Sequence, residues 1–174
     1  TLLLDDLNSS KYRALIGSAN WIITLGRFDI AYATMALARH SMAPREGHFK
    51  AMQRVFGYLR SHQKGRILID AGQFDHSEYN AEEYESWGEF YPDAEEEMPP
   101  DQPEPLGSKA CITIFVDANH AHDMLTRRSV TGVILFVNKT PVKWISKRQK
   151  TVETSTYGSE LVASRIATDL AVEY

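Results

Sequence analysis

The first part of the chain is predicted to be helical by the spacing of its apolar residues. Apolar positions recur every three or four residues, as in a helix with one buried face. They predict helices at about 11–24, at about 29–42 and from Pro44 to just before Lys64, with Ser9 or Ser10 as the first N-cap. The three apolar stripes are Tyr12, Leu15, Ile16, Ala19, Ile22 and Ile23; Ile30, Ala33 and Leu37; and Phe49, Met52, Phe56 and Leu59. Short connections between these helices predict a small helical bundle.

The last part of the chain predicts three strands followed by a helix. In the first strand, alternation places the carboxylate of Asp117 on one face with Thr113 and Phe115, at the end of a half-buried strand. Hydroxyl residues at 154–156 predict the helix start, which puts Glu160 in the first turn. Two acids from separate elements can therefore meet at one edge of the sheet.

The middle of the chain reads as a linker. Residues 66–70 predict a short strand, after which residues 71–108 carry twelve acidic residues, no Lys or Arg and five prolines. A segment of this composition cannot pack a core of its own. Its aromatic residues are too numerous for an inert tether, so we expect part of it to dock on a neighbouring element. These residues are Phe74, Tyr79, Tyr84, Trp87, Phe90 and Tyr91.

Charge is segregated along the chain, although the net charge is only −4. The acidic segment leaves 19 basic and 11 acidic residues in the rest of the chain, a balance that suits an anionic partner such as nucleic acid. The single Cys111 excludes an internal disulfide. No apolar run reaches membrane-spanning length, so no membrane partner is expected.

Several sequence blocks, in order, resemble one family. The blocks YRALIGSANWI, RFDIAYA and PREGHFKAMQRVFGYLR are similar to the segment just after the polymerase palm in copia-type retrotransposon polyproteins. Asp117, followed by TRRSVTG, VKWISKRQKTV and STYGSELVA, resembles the ribonuclease H domain of the same polyproteins. Independent motifs in the right order are more specific than one short pattern.

The resemblance implies a fold class of α+β or α/β, with three regions. Residues 1–70 are expected to form a helical bundle like the thumb or connection of a reverse transcriptase, and 71–108 a linker. Residues 109–174 are expected to form a partial ribonuclease H-like domain of three antiparallel strands plus a helix. The remainder of the polyprotein is then an expected partner. The expected location is an intracellular, cytoplasmic particle, and secretion is not expected.

The resemblance also implies two-metal hydrolysis of RNA in RNA–DNA hybrids. Asp117 and Glu160 match the carboxylates that the family places on the first strand and first helix, so both are expected catalytic residues and Mg²⁺ ligands. Asp169 lies nine residues beyond Glu160, about 180° round the helix, and points away. The family's third aspartate is expected beyond Tyr174, so two Mg²⁺ ions are expected only in the complete domain.

Basic residues near these acids are the expected phosphate contacts to an RNA–DNA hybrid or duplex nucleic acid, with solvated charges at strand ends as the alternative for each of them. They are Arg127, Arg128, Lys147, Arg148 and Lys150. A second basic surface, on the helical bundle, is another candidate for contact with nucleic-acid phosphates. An ordinary solvated helix face is an equally good interpretation of it. It consists of Arg39, His40, Arg45, His48, Lys50 and Arg54.

Other interpretations of the sequence remain. His120, His122 and Asp123 resemble a metal cluster, but one cysteine and no second cluster disfavour zinc. The run LLLDD at the start lacks the turn of a polymerase palm, so that active site is not expected here. Besides the nuclease fragment, the sequence allows a non-catalytic nucleic-acid-binding or connection module, and a degenerate remnant of an element.

Overall fold

The computed structural model describes residues 2–77, 92–93, 101, 103, 106–107 and 109–174. Within them the chain is a mixed α+β protein with four α-helices and one three-stranded antiparallel sheet. The helices are α1 (Asp6–Thr24), α2 (Ala31–Ala38), α3 (Glu46–Ser61) and α4 (Thr156–Glu173), with a 3-10 helix at Phe28–Ile30. The strands are β1 (Ile112–Asn119), β2 (Val130–Val137) and β3 (Thr140–Arg148).

The first two helices differ at their ends from the prediction. Helix α1 begins at Asp6 because Asp5 is its N-cap, whose carboxylate accepts the backbone N–H of Asn8 at 2.7 Å. Ser9 and Ser10 therefore lie inside the helix, and the predicted serine cap is wrong. The second predicted helix is divided into the 3-10 helix and α2, which ends at Ala38 before a run of turns.

The predicted apolar stripes form the core of the bundle. Six residues are buried together: Tyr12, Ile16, Ala19, Ile30, Met52 and Val55. The other stripe residues pack around them, partly buried. Tyr12 is fully buried, and its hydroxyl donates a hydrogen bond of 2.7 Å to the carbonyl oxygen of Leu37. This bond satisfies the phenol in an otherwise apolar core.

The sheet is a meander in the order β1-β2-β3, so β1 and β3 are its edges. Helix α4 covers one face, where Val133 and Leu135 pack against Ala167 and Leu170. Buried Gln149 fixes the start of α4, because its Nε2 donates to the hydroxyl of Thr131 at 3.0 Å and to the carbonyl of Ser159 at 2.9 Å. The three strands and the helix agree with the sequence pattern.

The strand predicted at 66–70 is wrong. These residues pair with no strand in the described structure. The backbone of Asp70 instead forms hydrogen bonds with the turn between β2 and β3. Its N–H donates to the hydroxyl of Thr140 at 2.8 Å, and its carbonyl accepts the N–H of Lys139 at 3.2 Å. A few residues later, Phe74 packs edge-on against Phe115 and Phe136. The remaining aromatics of the predicted linker lie outside the described residues.

The helical bundle packs against the sheet face opposite α4. Trp144 of β3 donates its indole N–H to the carbonyl of Ile23 at 3.0 Å, and its ring lies 5.1 Å from that of Phe28. The two parts that the sequence separates by a linker thus share an interface. No helix among the described residues has the length and apolarity needed to span a membrane.

Candidate functional site

Asp117 lies on the side of the sheet that faces the helical bundle. In the antiparallel register it is opposite Gly132, which is in turn opposite Ser146. The alternate residue Ala118 is opposite Thr131, the partner of Gln149 under α4. Since successive side chains point to opposite faces, Asp117 is directed away from α4. It lines a cleft of about 420 Å³ between the sheet and the bundle.

Glu160 is the fifth residue of α4, just past the first turn in which it was predicted to lie. Ser155 is the N-cap, and its hydroxyl accepts the N–H of Gly158 at 3.1 Å. Ser159 is buried against the sheet, whereas Glu160, one residue on, is exposed. The helix starts where hydroxyl residues satisfy its first N–H groups, which explains why the local sequence located it well.

The structure does not bring Asp117 and Glu160 into contact. Asp117 faces the bundle and Glu160 belongs to the helix on the opposite face, and no hydrogen bond or ion pair joins them. Their oxygen ligands suit Mg²⁺ chemically. Within the described residues, however, no group of three or more His, Cys, Asp or Glu is placed to hold a metal. Their catalytic and metal-binding roles therefore stay predictions.

Among the acids that the structure describes, Asp123 has the most partners, and none of these partners was predicted from the sequence. It is buried, with Arg148 Nη1 at 2.6 Å and Arg39 Nη1 at 3.4 Å from its Oδ2. Its other oxygen accepts the N–H groups of Leu125 and Thr126. Hydrogen bonds, first from Arg148 and then from Thr126, hold the pKa of Asp123 well below its usual range. Through the two arginines, Asp123 ties the end of α2 to β3.

The neighbouring His122 is also used inside the fold. His122 is hydrogen-bonded through Nε2 to the hydroxyl of Tyr32 and through Nδ1 to the amide of Asn119, the latter at 3.1 Å. Because Asp123 is held by two arginines, its carboxylate cannot serve a metal without breaking those ion pairs. His122 and Asp123 are therefore explained by contacts between the bundle and the sheet, whereas the buried Nδ1 of His120 has no hydrogen-bond partner in the described structure.

The predicted phosphate-binding residues differ in their availability. Arg148 is engaged by Asp123, so its guanidinium is already paired. Arg127, Lys147 and Lys150 are exposed, and Arg128 is half-buried. These four side chains form no ion pair in the described part of the chain, so they remain candidate phosphate contacts.

The second basic surface, on the bundle, is not continuous. Arg39 is paired with Asp123, and His40 stacks on His48 with ring centroids 3.8 Å apart. Burial lowers the pKa of both imidazoles, which therefore favour the neutral form. Lys50 and Arg54 are exposed on α3.

The chain is similar to known proteins over most of its length. It is 24% identical over 151 residues to the Retrovirus-related Pol polyprotein from transposon RE2 of Arabidopsis thaliana, across 87% of this chain. It is 26% identical over 151 residues to the uncharacterized mitochondrial protein AtMg00810 of the same plant. It is also 26% identical over 167 residues, 95% of this chain, to the Secreted RxLR effector protein 161 of Plasmopara viticola. No family model matches, and no solved structure matches significantly.

The chain covers very different shares of these relatives. It spans 8% of the transposon polyprotein, 48% of the mitochondrial protein and 92% of the effector. Similarity to the polyprotein extends over most of this chain, from the helical bundle into the sheet region. These comparisons support the identification of the chain as related to a segment of a retrotransposon polyprotein.

Proposed function

We propose that this chain is the segment of a copia-type polyprotein that joins the end of the reverse transcriptase to the ribonuclease H domain, and that it binds RNA–DNA hybrids. One observation carries the proposal. A three-stranded meander with Asp117 on β1 leads into a helix with Glu160 near its start. This order of elements is what the resemblance to ribonuclease H implies.

Exposed basic side chains provide the means of binding. Arg127 lies in the loop between β1 and β2, Lys147 near the end of β3, and Lys150 just after it. Lysine and arginine contacts to phosphates supply affinity without sequence specificity. A hybrid would be recognised through its backbone, its groove width and its 2′-hydroxyl groups.

In the complete polyprotein, Asp117 and Glu160 are the proposed ligands of the catalytic Mg²⁺ ions. The metal would supply activation of water and stabilisation of the leaving oxygen. The two carboxylates of this chain would hold part of the coordination sphere, and further ligands must come from residues outside those described. This chain's own contribution is therefore to present two acids and to hold the nucleic acid beside them.

A non-catalytic module is the second candidate. The absence of contact between Asp117 and Glu160, and of a three-ligand group among the described residues, favours it. In this case the segment connects the polymerase to the nuclease and binds the hybrid without cleaving it. Hybrid binding is common to both candidates, so cleavage must distinguish them.

Cleavage of a labelled RNA–DNA hybrid with Mg²⁺ tests the proposal in two steps. The chain alone should show no measurable activity, because two carboxylates cannot fix two metals. Extended in its parent polyprotein through the full domain, it should cleave, and Asp117→Asn or Glu160→Gln should each abolish cleavage. Asp169→Asn, which changes an exposed acid on the same helix, is the matched control and should retain activity.

Two results would contradict the nuclease assignment. An extended protein that binds the hybrid but never cleaves it would leave the connection module as the function. An extended protein that Asp169→Asn inactivates while it stays folded would require a different set of catalytic acids.

The proposal also includes the location of the parent polyprotein in a cytoplasmic particle. Determining where the parent polyprotein is found in the cell tests this part.

A further inference from the structure

A basic pocket of about 590 Å³ lies where α3 ends in the helical bundle. Its walls come from the end of α3, the turn that follows this helix, and the chain around the 3-10 helix. We call it the α3 pocket, and its lining consists of Arg27, Asp29, Tyr58 and residues 60–65. Three Lys or Arg residues in this lining are opposed by one acid. None of the lining residues belongs to either set of phosphate contacts predicted from the sequence.

The one acid of the α3 pocket is already paired. Arg27 donates through Nε and Nη2 to the two carboxylate oxygens of Asp29, at 3.0 and 2.8 Å. The hydroxyl of Tyr58 donates to the same carboxylate at 2.9 Å. The hydrogen bonds from Arg27 lower the pKa of Asp29, so this acid is ionised at neutral pH. Its charge is compensated by Arg27, and both of its oxygens are occupied.

The other two cations of the α3 pocket, Arg60 and Lys64, have no partner. Both side chains are exposed and form no ion pair within the described part of the chain. Basic residues near the end of a helix often bind its last carbonyl groups. Here the carbonyls of Tyr58 and His62 already accept hydrogen bonds of 2.9 Å, from the N–H of His62 and from Arg27 respectively. Arg60 and Lys64 are therefore available to a ligand.

Packing holds the turn that carries Lys64. Tyr58 and His62 stack with ring centroids 4.3 Å apart, and the guanidinium carbon of Arg27 lies 5.8 Å from the centroid of Tyr58. The turn passes closely over Arg27, since a Cβ atom at Gly65 would lie 3.0 Å from its Nε. The hydrogen bond from Arg27 to the His62 carbonyl fixes the same turn. The pocket is thus formed by the fold before any ligand enters.

We propose that the α3 pocket binds a phosphate group of a nucleic-acid backbone. Two unpaired cations beside a fixed turn provide charge-assisted hydrogen bonds, and the planar guanidinium of Arg60 can bind two phosphate oxygens at once. A metal ion is disfavoured because the oxygens of Asp29 are occupied. The identity of the ligand rests on the hybrid binding proposed above. The pocket adds to it a contact on the bundle, separate from those on the sheet.

Fluorescence anisotropy of a labelled RNA–DNA hybrid between about 50 and 200 mM salt tests the pocket. The double variant Arg60→Gln with Lys64→Gln should weaken binding and lower the salt slope by about one unit for each phosphate no longer neutralised. Lys11→Gln with Arg13→Gln removes the same charge from exposed positions of α1 and should leave the slope unchanged. Duplex DNA should show the same loss as the hybrid, because phosphate contacts carry no sequence information.

Two results would overturn the pocket as a phosphate site. One is an unchanged salt slope for the Arg60 and Lys64 variant while its circular dichroism and urea midpoint match those of the parent chain. The other is an equal loss of slope in the α1 control. A parent chain that binds duplex DNA through the pocket, but no hybrid, would contradict the proposed function and support the pocket. A parent chain that binds neither would overturn both.

Calorimetric titration with inorganic pyrophosphate separates the nucleic-acid backbone from a small phosphate compound. The expected result is weak pyrophosphate binding, together with hybrid binding that depends on Arg60 and Lys64. Pyrophosphate binding that the double variant abolishes, with hybrid binding unchanged, would overturn the nucleic-acid assignment. The ligand of the pocket would then be a small phosphate compound.

Discussion

Trp144 and Ile23 are joined by a hydrogen bond of 3.0 Å between the indole N–H and the main-chain oxygen, across 121 positions of sequence. The bond ties β3 to the last turn of α1. Because the ring also packs on Phe28, one side chain supplies both polar and apolar contact at this interface. The relative placement of bundle and sheet, and with it the cleft, depends on this tryptophan.

Replacing Trp144 by phenylalanine should therefore weaken the interface. The variant keeps an aromatic ring but removes the indole donor, while the Ile23 carbonyl still accepts the N–H of Gly26. We therefore expect the loss of one hydrogen bond, about 1 kcal/mol in the free energy of unfolding. Urea denaturation followed by circular dichroism measures it. Trp21→Phe is the matched control, since Trp21 is 67% exposed on α1. Equal effects of the two variants would show that the indole bond contributes nothing.

Asp123→Asn should destabilise the protein more than Asp169→Asn does. The first change removes the carboxylate shared by Arg39 and Arg148 and leaves two partly buried cations facing each other. The second alters an exposed residue of α4. Urea midpoints at neutral pH measure the difference. A midpoint for Asp123→Asn within error of the control would contradict a structural role for these ion pairs.

The pH dependence of the same ion pairs has a definite sign. The pKa of Asp123 is depressed in the folded state, so its contribution to stability is complete above the unfolded-state value of about 4. The contribution is lost as the pH falls from there toward the folded pKa. Plotted against pH, the difference in stability between parent and Asp123→Asn should be flat from neutral pH to about 5 and shrink below about 4. A stability difference between parent and variant that grows on acidification would contradict a depressed pKa for Asp123 in the folded state.

Gln149→Leu should loosen the start of α4. The change preserves volume but leaves the Ser159 carbonyl and the Thr131 hydroxyl without their buried donor. We expect a loss of about 2 kcal/mol in unfolding free energy. Hydrogen exchange of the first turns of α4 should accelerate as well. Gln53→Leu, at an exposed position of α3, should do neither.

Nucleic-acid binding should respond to position as well as charge. The double variant Lys147→Gln with Lys150→Gln should reduce the dependence of hybrid affinity on salt by about one unit of slope for each phosphate that is no longer neutralised. Lys139→Gln, in the exposed turn between β2 and β3 at the other end of the strands, is the control. Fluorescence anisotropy between about 50 and 200 mM salt measures both. An equal effect of Lys139→Gln would indicate non-specific attraction to net charge.

Much of the local structure could be predicted because its causes are local. Helical periodicity located the core of the bundle, since Tyr12, Ile16 and Met52 are buried as expected. Hydroxyl capping located α4 within a residue or two. The strand predicted at 66–70 does not form because a strand needs the edge of another strand to pair with. The backbone of Asp70 is hydrogen-bonded to a turn instead.

The features that join distant segments could not be predicted. The partners of Asp123 come from the end of α2 and from β3, and no spacing in the sequence relates these residues. The cleft likewise needs the bundle and the sheet to meet across the acidic segment. The position of Asp117 near the end of a strand could be predicted from the alternation of its neighbours. Its place among aromatic side chains, rather than beside Glu160, is a result of tertiary packing.

The outer edge of β1 has a consequence for handling the protein. Every second residue of β1 directs its backbone N–H and C=O away from β2, and no strand engages these groups within the described structure. Such an edge is a template on which another extended chain can continue the sheet. Ile112 and Val116 add exposed apolar surface beside it. The isolated chain should therefore self-associate as its concentration rises, and a lysine placed at an outward position of β1 should keep it monomeric.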